Sequence, residues 1–235
     1  EAALPEKKAQ PSMSFRRPLF PRFIFNKVSC VRNGQQVLRN LNLSVHEGGA
    51  TVVLGSNGSG KTTLLRLLAR LEQPSAGHIL WDGHDISKSG VYQQYKLQLN
   101  WFSHEDPIDE KLTVLRNVEW YEGVASEEGK SLAAVEFMGL GELAEEKSGT
   151  LSTGQRQRLK LARLLAIDRP IWLLDEPSVG LDAEGLRLLE FVIRRHRKYG
   201  GVVFVATHLP ISIEDAMFVR LPDRFKRRSY IEMFD

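Results

Sequence analysis

A glycine-rich run that ends in a lysine and two threonines is the part of the chain whose residue types and spacing most directly indicate chemistry. Residues 55–63 read GSNGSGKTT and fit the pattern G-x-x-x-x-G-K-[ST] of loops that cradle nucleotide phosphates. Glycines let the backbone curl around phosphate oxygens, at which its N–H groups then point. We expect Lys61 to reach the β and γ phosphates and Thr62 to offer its hydroxyl to Mg²⁺, whereas Thr63 packs or contacts the α phosphate. The predicted nucleotide-binding residues are Gly55, Ser56, Asn57, Gly58, Ser59, Gly60, Lys61, Thr62 and Thr63.

The segments on either side of this loop predict the elements that must position it. Residues 51–54 are a short apolar run typical of a buried strand, and the leucines within residues 64–68 have the spacing of an apolar helix face. A strand, a glycine-rich loop and a helix in this order are the context that such a phosphate-binding motif requires. The sequence therefore predicts a nucleoside triphosphate site of the P-loop type.

The order of the remaining elements predicts an α/β fold. Before the loop, residues 23–31 and 37–45 alternate as strands around Asn33-Gly34, a dipeptide suited to a hairpin, and predict an antiparallel β edge. After it, strands and helices alternate, which favours a mostly parallel sheet wrapped by helices. Helical patterns within about 88–150 predict an inserted helical subdomain. The other predicted elements are strands 78–81, 171–174 and 202–206 and helices 114–124, 132–138, 156–167 and 183–199.

Two adjacent carboxylates follow the apolar strand at 171–174. Asp175 and Glu176 should lie at the carboxyl end of a parallel strand, where open α/β sheets bind ligands. We expect Asp175 to hold Mg²⁺, directly or through water, and Glu176 to orient or deprotonate the attacking water. Together with the P-loop, this pair predicts hydrolysis of a nucleoside triphosphate.

Composition narrows the class of protein. The chain has 235 residues, a formal net charge of +3 and a single cysteine, Cys30, so it can form no internal disulfide. No run approaches the roughly 18 apolar residues that a membrane span needs, and the histidines show no metal-ligand spacing. Residues 1–22, with four prolines and five basic residues, predict an extended or disordered lead-in to one domain over 23–235.

Three further motifs, in order, resemble those of ATP-binding cassette (ABC) ATPases over residues 23–217. Residues 151–155, LSTGQ, look like the family's signature loop and are called the signature segment below; residues 178–182, SVGLD, resemble its D-loop. His208, after the strand at 202–206, resembles the switch histidine and is expected to act in catalysis with Lys61 and Glu176. The resemblance implies that the signature segment binds the γ phosphate held by the P-loop of a second subunit, most simply in a homodimer. It adds Ser152, Thr153, Gly154, Gln155 and Asp182 to the expected nucleotide-binding residues.

Three positions depart from the family pattern. Where the family has a glutamine, residues 103–106 read SHED, so Glu105 or His104 takes its place. A carboxylate at Glu105 could still bind Mg²⁺ or water, but it would repel the γ phosphate, and we expect slower or more tightly partner-gated hydrolysis. Thr153 replaces a glycine and is expected to weaken the ATP-bound dimer. Arg32 is the candidate for stacking on adenine, a solvated arginine being the alternative.

Stretches both within and outside the catalytic motifs resemble one subfamily, the ATPase subunits of cytochrome c maturation haem exporters, especially the plant mitochondrial form. They include residues 95–101 (YKLQLNW) and 164–177 (LLAIDRPIWLLDEP). The resemblance implies a multispanning membrane partner resembling CcmB, further cytochrome c maturation subunits, no nucleic acid, and a place on the matrix face of the mitochondrial inner membrane, or the cytoplasmic face of a bacterial plasma membrane. Residues 104–115 are the expected docking surface. The alternative is a soluble ABC-type scaffold in cofactor assembly without a channel.

Overall fold

The computed structural model describes residues 20–125, 129–209 and 211–222. The lead-in expected at 1–22 lies outside them except for its last three residues. The strands are β1 Phe23–Arg32, β2 Gln35–Val45, β3 Ala50–Leu54, β4 Ala76–Trp81, β5 His84–Asp85, β6 Leu99–Ser103, β7 Ile171–Asp175, β8 Val202–Thr207 and β9 Met217–Arg220. The helices are α1 Lys61–Leu68, α2 Ser89–Tyr95, α3 Val114–Val124, α4 Ser131–Phe137, α5 Thr153–Ala166 and α6 Ala183–Lys198, with short 3₁₀ turns at Lys96–Gln98, Gly141–Leu143 and Ser148–Thr150.

A five-stranded parallel sheet, in the order β6-β7-β8-β3-β9, forms the centre of the fold. Successive residues of its strands pack on opposite faces: in β8, Val203 and Val205 join the cluster of α3 to α6, whereas Phe204 joins the cluster of α1 and the second sheet. Burial on both faces explains why β7 and β8 are almost wholly apolar, as in other parallel sheets. The predicted parallel core is confirmed.

The antiparallel strands form a sheet of their own, in the order β2-β1-β4-β5, rather than an edge of the parallel sheet. The expected hairpin joins β1 to β2, and both Asn33 and Gly34 have positive φ angles, 50° and 73°, as such a tight turn requires. Phe23 and Phe25 of β1 pack against Phe204 of β8. The second sheet therefore covers one face of the parallel sheet and α1.

The helical subdomain begins later than the sequence predicted. The range 88–150 contains β6, which pairs with β7 in the core sheet, so a helical region from 88 onward is wrong in its first part. Polar Asn100 lies in the middle of β6, where its amide donates to the backbone oxygens of Leu164 (3.0 Å) and Ile167 (3.3 Å), and it breaks the apolar pattern of a buried strand. Helices α3 and α4 follow β6 and pack on α5. Among the described residues, no helix combines the length and apolarity needed to cross a bilayer.

Candidate functional site

The glycine-rich loop lies between β3 and α1, as the sequence predicted. Helix α1 begins at Lys61, and its N-cap residue is Gly60. Gly60 has a φ angle of 111°, which residues other than glycine rarely adopt. Gly55 is equally constrained, because a Cβ there would lie 2.3 Å from the hydroxyl of Ser59. That buried hydroxyl has no hydrogen-bond partner among the described residues. The loop therefore presents backbone N–H groups and a helix N-terminus, the arrangement that binds phosphate.

Lys61 is buried and turns back toward its own loop. Its Nζ donates to the backbone oxygens of Gly55 (2.9 Å) and Ser56 (3.3 Å) and lies 3.2 Å from Oε1 of Glu176. These contacts hold the ammonium group at the centre of the loop. It is positioned where phosphate oxygens would replace the carbonyl oxygens as acceptors.

Asp175 ends β7 beside the loop. The hydroxyl of Thr62 donates to its Oδ1 at 3.1 Å. Burial raises the pKa of Asp175, although the bond from Thr62 opposes this. A hydroxyl and a carboxylate in contact form the hard oxygen pair that Mg²⁺ takes from a protein before completing its shell with phosphate and water, so these residues fit that ion. Within the described residues no three His, Cys, Asp or Glu side chains are grouped to hold a metal by themselves.

Glu176 lies between two cationic or hydrogen-bonding partners. Its Oε1 faces Lys61, and its Oε2 is 2.9 Å from Nδ1 of His208 and accepts from the His208 backbone N–H at 3.2 Å. Burial raises the pKa of Glu176, but the bonds from His208 and Lys61 outweigh it and hold the pKa below its usual value. The backbone of Glu176 has a φ angle of 49°, a left-handed conformation that is strained for this residue type and is found disproportionately at active sites.

These residues line one cleft of about 650 Å³ at the carboxyl edge of the parallel sheet. Strand β6 brings Ser103 beside Asp175 in register, and His208 follows the end of β8. At the other side the cleft is lined by Arg32, Gln35 and Val37 of the first hairpin. Sequence reasoning named Arg32 but missed Gln35 and Val37, because a wall built from a hairpin remote in sequence leaves no local motif to find.

Glu105 and His104 both line the cleft, but differently. The Glu105 side chain is 83% exposed, and its carboxylate lies 4.0 Å from Nε2 of His104. The backbone N–H of His104 donates to Asp175 O at 3.2 Å. No contact joins Glu105 to Thr62 or Asp175 among the described interactions, so its expected share in a metal site stays a prediction.

The signature segment and Asp182 lie outside this cleft. Ser152 caps α5 in a capping box, in which its hydroxyl accepts from Gln155 N and the Gln155 side chain accepts from Ser152 N. This box starts α5 at Thr153, three residues before the predicted start at 156, and the spacing S-x-x-Q was the readable signal. Asp182 caps α6 by accepting from Gly185 N at 2.7 Å. Ser152, Thr153 and Asp182 are exposed at these helix N-termini, whereas Leu151 is buried, so the polar side chains face away from the chain's own cleft and toward solvent.

Comparison with known proteins identifies this architecture. Residues 38–179 match the family model described as ABC transporter. The protein named ABC transporter I family member 1 from Arabidopsis thaliana is 63% identical over 224 residues, which cover 95% of this chain and 98% of the relative. A protein named cytochrome c biogenesis ATP-binding export protein CcmA, from Paramagnetospirillum magneticum, is 37% identical over 208 residues, which cover 86% of this chain and 94% of the relative.

Solved structures show the same fold. A putative ABC transporter ATP-binding protein from Pyrococcus furiosus superposes with a TM-score of 0.73 at 24% identity, over 85% of this chain and 96% of that one. A dimeric ATP-binding cassette in a post-hydrolysis state, bound to ADP and Pi, gives a TM-score of 0.68 at 25% identity, over 86% of this chain and 94% of that one. The chain therefore belongs to the ABC transporter family, as an ATP-binding, ATP-hydrolysing subunit related to the CcmA proteins of cytochrome c biogenesis.

Proposed function

We propose that the chain is the motor subunit of a membrane ABC complex for cytochrome c maturation, in which ATP hydrolysis drives release of a haem-loaded chaperone or another step of haem handling. The observation that carries this proposal is the similarity to CcmA proteins, 37% to 40% identical over 78% to 86% of the chain in three of them. The complete P-loop and carboxylate pair of the cleft support the hydrolytic part. Nothing in the residues themselves selects haem.

In this proposal each group of the cleft has one task. Lys61 binds the β and γ phosphates, and Thr62 and Asp175 would hold Mg²⁺, which would neutralise phosphate charge. Glu176 orients the attacking water and accepts its proton, for which its lowered pKa keeps it ionised. His208, 2.9 Å from Glu176, holds that carboxylate in place and lines the cleft in which the γ phosphate would lie. The signature segment of a second copy closes the site, which makes the working unit a homodimer.

The membrane partner would dock on a groove of about 400 Å³ in the helical subdomain, here called the docking groove. It is lined by Pro107, Ile108, Asp109, Leu112, Asn117, Trp120, Tyr121 and Arg163. Arg163 donates to Pro107 O (2.6 Å) and to Asn117 Oδ1 (2.8 Å), and its guanidinium lies 4.3 Å from the Tyr121 ring centroid. These contacts tie the groove to the loop that follows β6. A membrane subunit that resembles CcmB and is bound in this groove would be linked through the loop to Ser103 and His104 of the cleft.

The cellular location of the subunit is also part of the proposal. We assign the subunit to the matrix face of the mitochondrial inner membrane, by its resemblance to the plant mitochondrial form, or to the cytoplasmic face in a bacterium. The direct test is purification of the tagged chain from its own membranes in mild detergent, followed by identification of the bound proteins. A multispanning CcmB-like protein is expected. Its absence, with a soluble assembly protein in its place, would contradict the membrane complex.

Replacing Trp120 by alanine should reduce recovery of the membrane subunit in that purification by roughly tenfold or more, because a single aromatic anchor at an interface contributes about 2 kcal/mol or more. Trp120 is 59% exposed in the docking groove. Leu97→Ala is the matched control, since Leu97 is 58% exposed but lies outside the groove. Equal recovery with both variants would place the partner elsewhere.

Replacing Glu105 by glutamine should raise the rate of ATP hydrolysis. The change removes a negative charge from the wall of the cleft, where the carboxylate would repel the γ phosphate. Because this side chain is 83% exposed, solvent screens the charge, and we expect a gain of only a few-fold. Steady-state turnover at saturating ATP and Mg²⁺ is the measurement; an unchanged or lower rate would count against the interpretation.

Replacing Asp175 by asparagine should abolish Mg²⁺-dependent hydrolysis and yet stabilise the nucleotide-free protein. Burial raises the pKa of this carboxyl, so above its unfolded pKa the charged form costs stability, and asparagine avoids that cost while still accepting from Thr62. A gain of ~1 kcal/mol corresponds to roughly 2–4 °C in melting temperature for a domain of this size. Thermal melting at pH 7 in EDTA is the measurement, and a lower melting temperature would contradict the prediction.

A further inference from the structure

The signature segment and the 178–182 turn lie next to each other. A Cβ placed on Gly154 would lie 3.7 Å from the backbone oxygen of Gly180 and 4.0 Å from Oδ2 of Asp182. From the other side, a Cβ on Gly180 would lie 3.5 Å from Cγ2 of Thr153. The two segments thus lie side by side, with space for about one methyl group between them.

Arg158 links α5 to the 178–182 turn and to α6 through its side chain. It lies in α5 beyond the signature segment, with a side chain only 10% exposed. Its Nη2 donates to Oδ2 of Asp182 at 2.6 Å and to Oε2 of Glu184 at 2.9 Å. Asp182 meanwhile uses its other oxygen, Oδ1, to cap α6. One guanidinium therefore joins the start of α5 to the start of α6 by charge-assisted hydrogen bonds, which are the strong kind.

The space behind the segments explains why such a fastening is needed. A cavity of about 340 Å³ separates Thr153, Val179 and Gly180 from His104 and Lys160. Gln157, which is 5% exposed, also lines it, and its Nε2 has no hydrogen-bond partner among the described residues. Packed side chains do not support the segments on this side. Leu151 and Leu181 hold the two segments on the core cluster, and Arg158 adds a direct side-chain link between α5 and the 178–182 turn.

We propose that Arg158 is a positioning residue that latches the signature segment to the 178–182 turn, so that both reach the γ phosphate of a second copy as one preformed surface. The function of this latch rests on the proposed homodimer, but the contact between Arg158 and Asp182 is present in the single chain. Arg158 touches neither its own cleft nor, in this scheme, the nucleotide. Its loss should disturb closure of the dimer while leaving nucleotide binding by the P-loop intact.

The first test is amide hydrogen exchange on the nucleotide-free chain. Arg158→Gln removes the latch, and Asp182→Asn removes the ion pair while asparagine still caps α6. Exchange in peptides covering 151–156 and 178–182 should accelerate together, by about tenfold, in both variants. Glu184→Gln, which leaves the Asp182 pair intact, is the control and should change exchange by less than about twofold. Unchanged exchange, or acceleration in one segment alone, would overturn the latch.

The second test uses dimerisation. In a Glu176→Gln background, Arg158→Gln should raise the ATP concentration for half-maximal dimer by about tenfold or more, with the affinity of the monomer for a fluorescent ATP analogue unchanged. The same dimerisation curve with and without Arg158 would refute the proposal. If Glu176→Gln alone stays monomeric, the homodimer fails, and the exchange result still decides the latch. If Arg158→Gln does not fold, Asp182→Asn decides the exchange test, because that carboxylate is 57% exposed. Arg158→Lys, which keeps the charge but lacks the planar fork of donors, then replaces Arg158→Gln in the dimerisation test.

Discussion

Replacing Glu176 by glutamine is expected to stop ATP hydrolysis and to trap an ATP-bound dimer. Glutamine keeps the size of the side chain and can still accept from the His208 N–H, but it cannot take a proton from water. Loss of a general base costs about 10²- to 10⁴-fold in rate. ATP then stays bound between the cleft of one subunit and the signature segment of the other. Analytical ultracentrifugation with saturating ATP and Mg²⁺ should show the dimer.

The control for this variant is Glu145→Gln, which neutralises an exposed carboxylate in the helical subdomain and should behave like the natural protein. A Glu176→Gln protein that sediments as a monomer with ATP would argue against a site shared between two chains. One that keeps more than a tenth of the natural rate would remove Glu176 from the role of base, and His208 would be the next candidate.

Replacing Lys61 by alanine is expected to weaken ATP binding by roughly 10- to 100-fold and to abolish turnover. The ammonium group supplies charge-assisted hydrogen bonds of about 1.5–3 kcal/mol at the phosphates, and each 1.4 kcal/mol is a factor of ten in affinity. Equilibrium titration with a fluorescent ATP analogue gives the affinity. The loss should be much smaller for AMP, which lacks the β and γ phosphates.

Lys88→Ala is the matched control, because Lys88 is exposed and lies outside the cleft. Equal ATP affinity in the Lys61 and Lys88 variants would contradict the assigned role. A melting temperature of Lys61→Ala close to that of the natural protein would show that the loss comes from the missing contact and not from unfolding.

Local pattern predicted the core of the site and most of the fold. Strands β7 and β8 were readable because burial on both faces makes them continuous apolar runs. Strand β6 was not readable from the sequence, because polar Asn100 occupies a buried position. Its amide is satisfied by hydrogen bonds to backbone oxygens at the end of α5. Those acceptors lie more than sixty residues away in sequence, so no window around Asn100 contains the information.

The same distinction applies to the functional residues. Lys61, Thr62, Asp175 and Glu176 stand in motifs whose spacing is fixed by a loop or a strand end, and the structure brings them together. The tie between Arg158 and Asp182 crosses from α5 to α6, and the wall formed by Gln35 and Val37 comes from another sheet. Contacts between elements that meet only in the folded chain leave no periodic or motif signal.

The ion pair between Lys61 and Glu176 has a consequence for the order of events. Without nucleotide, the phosphate binder and the proposed base neutralise each other at 3.2 Å, and the Lys61 ammonium has its remaining bonds satisfied by its own loop. Incoming phosphates must compete with Glu176 for that ammonium. Under the proposed function the pair would therefore act as an interlock, because Glu176 would be released to orient water only after a triphosphate had taken Lys61 from it.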